Sequence, residues 1–546
     1  MPLRVSRWKL TSLLVLAACG SSPESSPDAI TPADGAPACG ADVTPAPGLV
    51  VTQQGAVHGA LSGNTYAFLG IPFAQPPTGA LRWQPPQPLT CRATTLEATT
   101  WPAQCPQKRT EQGSTTSALL GEEDCLYLNV WQPTAARATP RPVMVWIHGG
   151  GNVQGGSSEE ELGTHLFEGQ KLAERGDAIV VTTNYRLGPL GFLAHPALTA
   201  ASGYGGSGNY GLMDQIAALT WVKDNIAAFG GDPARVMVFG ESAGGLDVCA
   251  LLASPMAAGL FSRAAIESGG CVGATLAVGE QRGSDYVATM GCDTAADPIA
   301  CLRAIAPLDL VKDLPPVFVN GRFSSAFGPV VDGKVLAQAP LDALASGAFN
   351  QVPLILGTNT DEAQMIVPAV GTTPTTWAAQ LDASFDEPLL SKALALYPPG
   401  TTNASARAAR VAFTSDAQFI CPARTIARTI TTHASAPVWR YEFRHAVNAN
   451  GAFHGIEIFF VFSTLEQTSY APAMTDADRA IAASMLGYWS RLAASGDPDG
   501  AGAPAWPRFD TTSELYLGID APPVADAKLR DAACDFWDIV YAATGM

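Results

Sequence analysis

Between Val236 and Gly245 the chain reads VMVFGESAGG, a single serine among small residues directly behind an apolar run. Gly240, Glu241, Ser242, Ala243 and Gly244 form a Gly-x-Ser-x-Gly pattern. In such an elbow a strand turns so sharply into a helix that side chains two positions before and after the serine would collide with their neighbours. The strained turn holds the hydroxyl above a sheet, where a carbonyl carbon can reach it. A serine hydroxyl is a poor nucleophile at neutral pH. It needs a base to take its proton and a third group to orient that base.

In this architecture the partners follow in the order serine, acid, histidine. Three histidines follow Ser242 at some distance, His433, His445 and His454. His454 lies in the Gly/Asn-rich loop NANGAFHGIEIFF, His445 closes a strand-like run, and His433 ends a polar, helix-like stretch. Catalytic groups on such sheets sit in loops beyond strand ends, which favours His454. Asp361 and Glu362 stand side by side after the apolar run of LILGTNTDEAQ, and residue chemistry alone does not choose between them. The stretch His148 to Gly151, HGGG, follows another apolar run, and its bare backbone could approach a substrate oxygen. With the amide of Ala243 it would supply donors to a tetrahedral oxyanion.

The elements that must hold these groups are legible around them. RPVMVWI, DAIVVTTNYR, RVMVF, VPLILGTN and PVWRYEFRH are strand-like runs, several rich in β-branched residues. Leu212, Ile216, Leu219, Val222, Ile226 and Phe229 recur at steps of three and four, predicting a helix with one apolar face that stops at Gly230 and Gly231. LDVCALLAS before Pro255 and DRAIAASMLGYWSRLAASG are further helices. Apolar strands alternating with helices predict an α/β fold with a mostly parallel central sheet covered by helices on both faces. Pocket-lining residues are expected around Met365, in Phe459–Phe462 and after Gly270.

The 546 residues carry 32 Lys and Arg against 49 Asp and Glu, a net charge of -17. That balance repels nucleic-acid phosphates and anionic membrane surfaces, so no nucleic-acid partner is expected. Arg4, Arg7 and Lys9 precede the short apolar run LTSLLVLAA, the order of an export signal. Leu16 to Cys19, LAAC, resembles a bacterial lipoprotein cleavage box. Residues 1–18 are accordingly expected to be a signal peptide, and Cys19 the lipidated first residue. Residues 19–47, rich in Ser, Pro, Ala, Gly and Asp, bury too little apolar surface to fold and read as a tether ahead of one domain over 48–546. The expected location is the cell envelope, outer membrane or cell surface, with the lipid as the sole membrane contact. Eleven cysteines less Cys19 leave an even ten, as suits a disulfide-permissive compartment. No His/Cys/carboxylate cluster has ligand spacing, and no metal or organic cofactor is expected.

Landmarks across nearly all of the folded part resemble the type B carboxylesterase/lipase family, which includes cholinesterases and bacterial para-nitrobenzyl esterases. They are FLGIPFAQPPTGALRW, EEDCLYLNVWQP, VWIHGGG, NYRLGPLGFL, the segment GNYGLMDQ to GESAGG, FGPVVDG, GTNTDEA, HGIEIFFVF and WPRFD, in the family's order. The resemblance implies an α/β-hydrolase fold with Ser242 as nucleophile, Glu362 as acid and His454 as base. It assigns the oxyanion donors to Gly150, Gly151 and Ala243, and places Ser268 within hydrogen-bonding reach of the acid, with Glu241 as a further residue around the triad. It implies buried ion pairs Arg82–Glu123 and Arg186–Asp214, and disulfides Cys105–Cys125, Cys292–Cys301 and Cys421–Cys534. Cys39, Cys91, Cys249 and Cys271 are left over and could pair as 39–91 and 249–271.

The chain departs from the family's pattern at three positions. Asp247 stands where relatives usually carry a small serine, and a carboxylate there would raise the pKa of His454. Asn152 replaces an aromatic, and Ala363 a glycine. Between Cys105 and Cys125 there is no tryptophan, so choline esters are not the expected substrates. Hydrolysis of a small-molecule carboxylic ester through an acyl-enzyme is the function the resemblance implies. A non-catalytic adhesion module and an amidase with the same triad are the alternatives.

Overall fold

The computed structural model describes residues 44–110, 116–323 and 326–544. The proposed signal peptide, Cys19, most of the tether and Cys39, with any Cys39–Cys91 pairing, lie outside them.

The five runs read as strands are strands, and each is buried on both faces. We label the main strands β1 (Leu49–Thr52), β2 (Gly55–Ser62), β3 (Thr65–Pro72), β4 (Tyr127–Pro133), β5 (Arg141–Ile147), β6 (Ile179–Thr183), β7 (Gly231–Glu241), β8 (Arg263–Glu267), β9 (Leu354–Asn359), β10 (Val438–Phe443), β11 (Leu515–Ile519) and β12 (Val524–Ala527). Their order across the sheet is β1-β2-β3-β4-β6-β5-β7-β8-β9-β10-β11-β12, with the short strand Leu96–Ala98 beside β2. From β6 to β11 every pairing is parallel. The outer strands pair antiparallel. A parallel sheet needs cover on both sides, and alternate residues sort accordingly. Val143, Val145, Val236, Val238, Ile266 and Leu356 face one core; Met144, Trp146, Met237, Phe239, Ala265 and Ile355 face the other.

The first core is closed by helices α1 (Tyr210–Asn225), α2 (Ala243–Ala253) and α4 (Cys421–His433). The second is closed by α5 (Asp476–Ser495), which packs on β5 and β7. Helix α3 (Asn403–Ser415) runs into α4 through a π-helical turn, Asp416–Ile420, and α6 (Asp531–Thr544) packs against that turn.

The sequence pattern gives α1 one apolar face, yet twelve of its sixteen residues are buried. The segment Gly188–Phe192 lies over its outer side. The buried polar residue Asp214 is tolerated because Arg186 binds it twice, Nε to Oδ2 and Nη2 to Oδ1, each at 2.7 Å. The α-helix also ends sooner than expected. A 3-10 turn, Ile226–Phe229, completes the run before Gly230 stops it with φ at 75°, and Gly231 already begins β7.

Arg82 and Glu123 form the second implied pair, bidentate at 2.5 and 2.8 Å. Cysteines 105–125, 292–301 and 421–534 are bridged, as is 249–271, which ties α2 to the segment after β8.

Removing one member of a buried ion pair strands the other without solvent, at a cost of about 3–5 kcal/mol. Asp214→Ala should therefore lower the urea midpoint markedly, and an unchanged midpoint would show that Arg186 finds other partners.

Candidate active site

The elbow forms where β7 meets α2, and its geometry explains its glycines. Ser242 is held at φ 57° and ψ -121°, a strained backbone for a residue with a side chain. A Cβ on Gly244 would lie 2.1 Å from the carbonyl oxygen of Ile147, and one on Gly240 would lie 2.7 Å from that same oxygen. The crossing of β5, β7 and α2 thus has no room for a side chain at either position. Ser242 N–H donates to Glu267 O at 2.8 Å, which anchors the turn to β8.

Two residues distant in sequence meet the serine. His454, in the loop after β10, lies with Nε2 2.8 Å from Ser242 Oγ. Its Nδ1 is 2.6 Å from Oε2 of Glu362. Glu362 opens a 3-10 turn just past β9 and is wholly buried. Its Oε1 accepts from Ser268 Oγ at 2.6 Å and from the amide of Asn359 at 2.7 Å. These donors hold the carboxylate with its other oxygen aimed at the imidazole. Such a chain can draw a proton from Ser242 and stabilise the imidazolium that results.

The competing candidates are engaged elsewhere. Asp361 accepts from the amide of Ala452, His445 contacts Asp478 and Asp520, and His433 is exposed at the end of α4. His148 is buried and stacks on Tyr185, and burial lowers its pKa to about 4.

Burial opposes a charge on His454. The carboxylates of Glu241 and Glu362, with the hydrogen bond to Glu362, outweigh it and raise the imidazole. Glu241 Oε1 stands 3.2 Å from Nε2, to one side of the bond to Ser242. Burial raises Glu241 as well, against the pull of His454. Glu457 lies behind, 3.4 Å from Ser268 Oγ and bonded by Asn359, and burial keeps it well above the usual carboxylate range.

Asp247 is absent from this cluster. Its oxygens accept from Asn152 Nδ2 at 3.0 Å and Gln215 Nε2 at 2.6 Å, and the charges acting on His454 come from Glu241, Glu362 and Glu457 instead. The expectation that Asp247 raises His454 is corrected accordingly. Ala363 donates its amide to Ser415 Oγ, and its methyl packs with Ile366, Val367, Val411 and Phe419.

The serine opens into a cavity of about 610 Å³ whose apolar wall includes Phe318, Phe323, Phe327, Phe419, Ile426 and Tyr541. Of the three segments expected to line it, only the one after Gly270 does. Met365 is not part of the wall, and Phe459–Phe462 is buried in the core beneath α5. The phenylalanines of VFVNGRFSSAF and the π-helical turn were the missed signal.

An elbow serine joined through histidine to a buried glutamate, above a mostly parallel sheet, defines an α/β-hydrolase with a serine site. The chain belongs to the carboxylesterase family, whose model matches residues 46–537, and it is a serine carboxylesterase. It is 36% identical to fumonisin B1 esterase of Sphingopyxis macrogoltabida over 479 residues, 85% of each chain. It is 35% identical to para-nitrobenzyl esterase of Bacillus subtilis over 484 residues, 87% of this chain and 95% of the relative. A solved PNB esterase superposes with a TM-score of 0.76 at 33% identity, covering 90% of this chain and 99% of that one.

Removing the Glu241 charge takes away a carboxylate that favours the imidazolium, so the His454 pKa must fall. In Glu241→Gln the ascending limb of kcat/KM against pH should move to lower pH by about one unit. A limb that stays in place would show that Glu241 is already neutral when His454 titrates.

Proposed function

We propose that the chain hydrolyses carboxylic esters through a covalent acyl-enzyme formed on Ser242. Ser242 Oγ attacks the ester carbonyl carbon while His454 Nε2 takes its proton. Glu362 stabilises the imidazolium. The carbonyl oxygen becomes an oxyanion received by the amides of Gly150, Gly151 and Ala243. Collapse breaks the ester bond, and His454 returns the proton to the leaving alcohol. A water, deprotonated by the same imidazole, then attacks the acyl carbon and releases the acid and Ser242.

The single observation that carries this reading is the continuous chain from Ser242 Oγ through His454 to Glu362, at 2.8 and 2.6 Å. A second supports the oxyanion assignment. Among the described residues no protein acceptor takes the N–H of Gly150 or Gly151, and Ala243 is the first residue of α2, whose N–H has no intrahelical partner. The apolar cavity favours esters with an apolar acyl or alcohol part.

The export reading is proposed alongside it, with Cys19 as the lipid attachment point. The basic-then-apolar start and LAAC box support it, and the four disulfides among the described residues suit an oxidising compartment. Palmitate labelling should be lost in Cys19→Ala; retained label would refute that site.

Matched p-nitrophenyl esters and anilides test the chemistry, with acyl length varied along the ester series. The esters should turn over well ahead of the anilides, with a length cutoff set by the cavity. Ser242→Ala should lose at least about 10⁴-fold in kcat. Hydrolysis surviving in that variant would refute the assignment, and a preference for anilides would make the chain an amidase.

A further inference from the structure

Asp247 and Asn152 are joined in a place where a polar contact has a mechanical consequence. Asp247 lies five residues past Ser242 on α2, wholly buried. Asn152 follows Gly150 and Gly151 directly, is 2% exposed, and holds a left-handed backbone at φ 59°. Its Nδ2 donates to Asp247 Oδ1 at 3.0 Å, and Gln215 Nε2 from α1 donates to Oδ2 at 2.6 Å. The hydroxyl of Tyr185 lies 2.8 Å from His148 O and 3.1 Å from Asn152 Oδ1, so its proton is shared between the two ends of the glycine stretch. Gly188 N–H closes on Asn152 O at 2.6 Å.

The three glycines have no side chains to hold them, and Gly150 and Gly151 both sit at positive φ, 95° and 65°. Such a backbone keeps one shape only if its flanks are fixed. His148 and Asn152 are those flanks, and Asp247 ties the second of them to the helix that begins at the nucleophile.

We propose that Asp247 and Asn152 are positioning residues that lock the Gly150–Gly151 amides at a set distance from Ser242, so that the donors already face the oxyanion when it forms. This rests on the reading of Ser242 as nucleophile. Neither residue gives up or takes a proton in the reaction. Their effect is on the transition state, because a tetrahedral oxyanion demands closer placement of the amides than a bound carbonyl does.

The hydrogen-bond pattern offers a direct test, because exchanging the two side chains preserves it. In the swap Asn152→Asp with Asp247→Asn, Tyr185 still donates to residue 152, residue 247 donates back to it, and Gln215 still finds an acceptor at 247. Asn152→Asp alone sets two carboxylates against each other. Asp247→Leu leaves Asn152 and Gln215 without an acceptor. Asp247→Asn, the mildest change, keeps the acceptor for Asn152, and a half-turn of the Gln215 amide presents Oε1, which has no partner at present, to the new N–H.

The measurements are kcat and KM on a p-nitrophenyl ester, and the inhibition constant of a trifluoromethyl ketone that adds to the serine as a tetrahedral hemiketal. Asn152→Asp and Asp247→Leu should lower kcat by about 10- to 100-fold, with KM within about threefold. Ketone affinity should fall in step with kcat. The swap and Asp247→Asn should return both to within about threefold of wild type. A folded Asn152→Asp or Asp247→Leu enzyme with wild-type kcat and ketone affinity overturns the proposal, even if it melts earlier. So does a swap that folds and stays as impaired as Asn152→Asp. If Asp247→Leu does not fold, the Asn152→Asp and swap pair decides. Asp247→Asn losing kcat tenfold or more would also overturn it, since the bond from Asn152 is retained. Hydrolysis by Ser242→Ala would instead refute the nucleophile assignment, leaving these ratios without bearing on that failure.

Discussion

Everything at this site depends on the crowded crossing where the end of β5 passes the turn between β7 and α2. The carbonyl oxygen of Ile147 occupies the space that side chains at both Gly240 and Gly244 would need. Because those positions are bare, the chain can reverse within one residue, and Ser242 takes the positive φ that lifts its hydroxyl clear of the sheet. The same crossing brings the strand end that leads to Gly149–Gly151 beside the serine: a Cβ on Gly149 would be 3.1 Å from that of Ser242. Nucleophile and candidate oxyanion donors are therefore consequences of one packing constraint, and the large two-faced core is what makes it rigid.

Around this point the polar groups divide into two systems. On one side of the serine, burial concentrates negative charge: Glu241, Glu362 and Glu457 stand near one imidazole, and Glu267, raised to about 8, lies behind them on β8, bonded by Trp489. Burial disfavours charge on Glu241, Glu457 and Glu267 alike and pushes each of them upward. Glu362 is the carboxylate that Ser268, Asn359 and His454 all reach. On the other side, Asp247 is met only by amides, and burial raises it to about 7. The first system sets the charge on the base; the second braces backbone.

The catalytic candidates were legible in the sequence to the extent that backbone sterics dictated them. The glycines around Ser242 could be read because no other residue fits, and the sheet because strands buried on both faces must be apolar throughout. The choice between Asp361 and Glu362 was not legible from residue chemistry, since both follow β9 closely. It is made by the 3-10 turn that points Glu362 inward while Asp361 turns to Ala452. The family resemblance named Glu362, and it is this carboxylate that lies 2.6 Å from His454 Nδ1. The cavity wall was misread at Phe459–Phe462 because aromatic content cannot distinguish a lining from a core. Asn152 and Asp247 stood out one at a time as departures; only the fold reveals that they touch.

The central claim is that Ser242 alone reacts with an acyl-like electrophile, and does so because His454 and Glu362 activate it. The most direct measurement is reaction with a fluorophosphonate, followed by mass spectrometry of the digested protein and by the rate of labelling. The account predicts one phosphonyl group, on the peptide containing Ser242, formed at a rate that falls by at least about 10³-fold in His454→Ala and substantially in Glu362→Gln. Label on another residue, or labelling of Ser242 at the wild-type rate without His454, would contradict it.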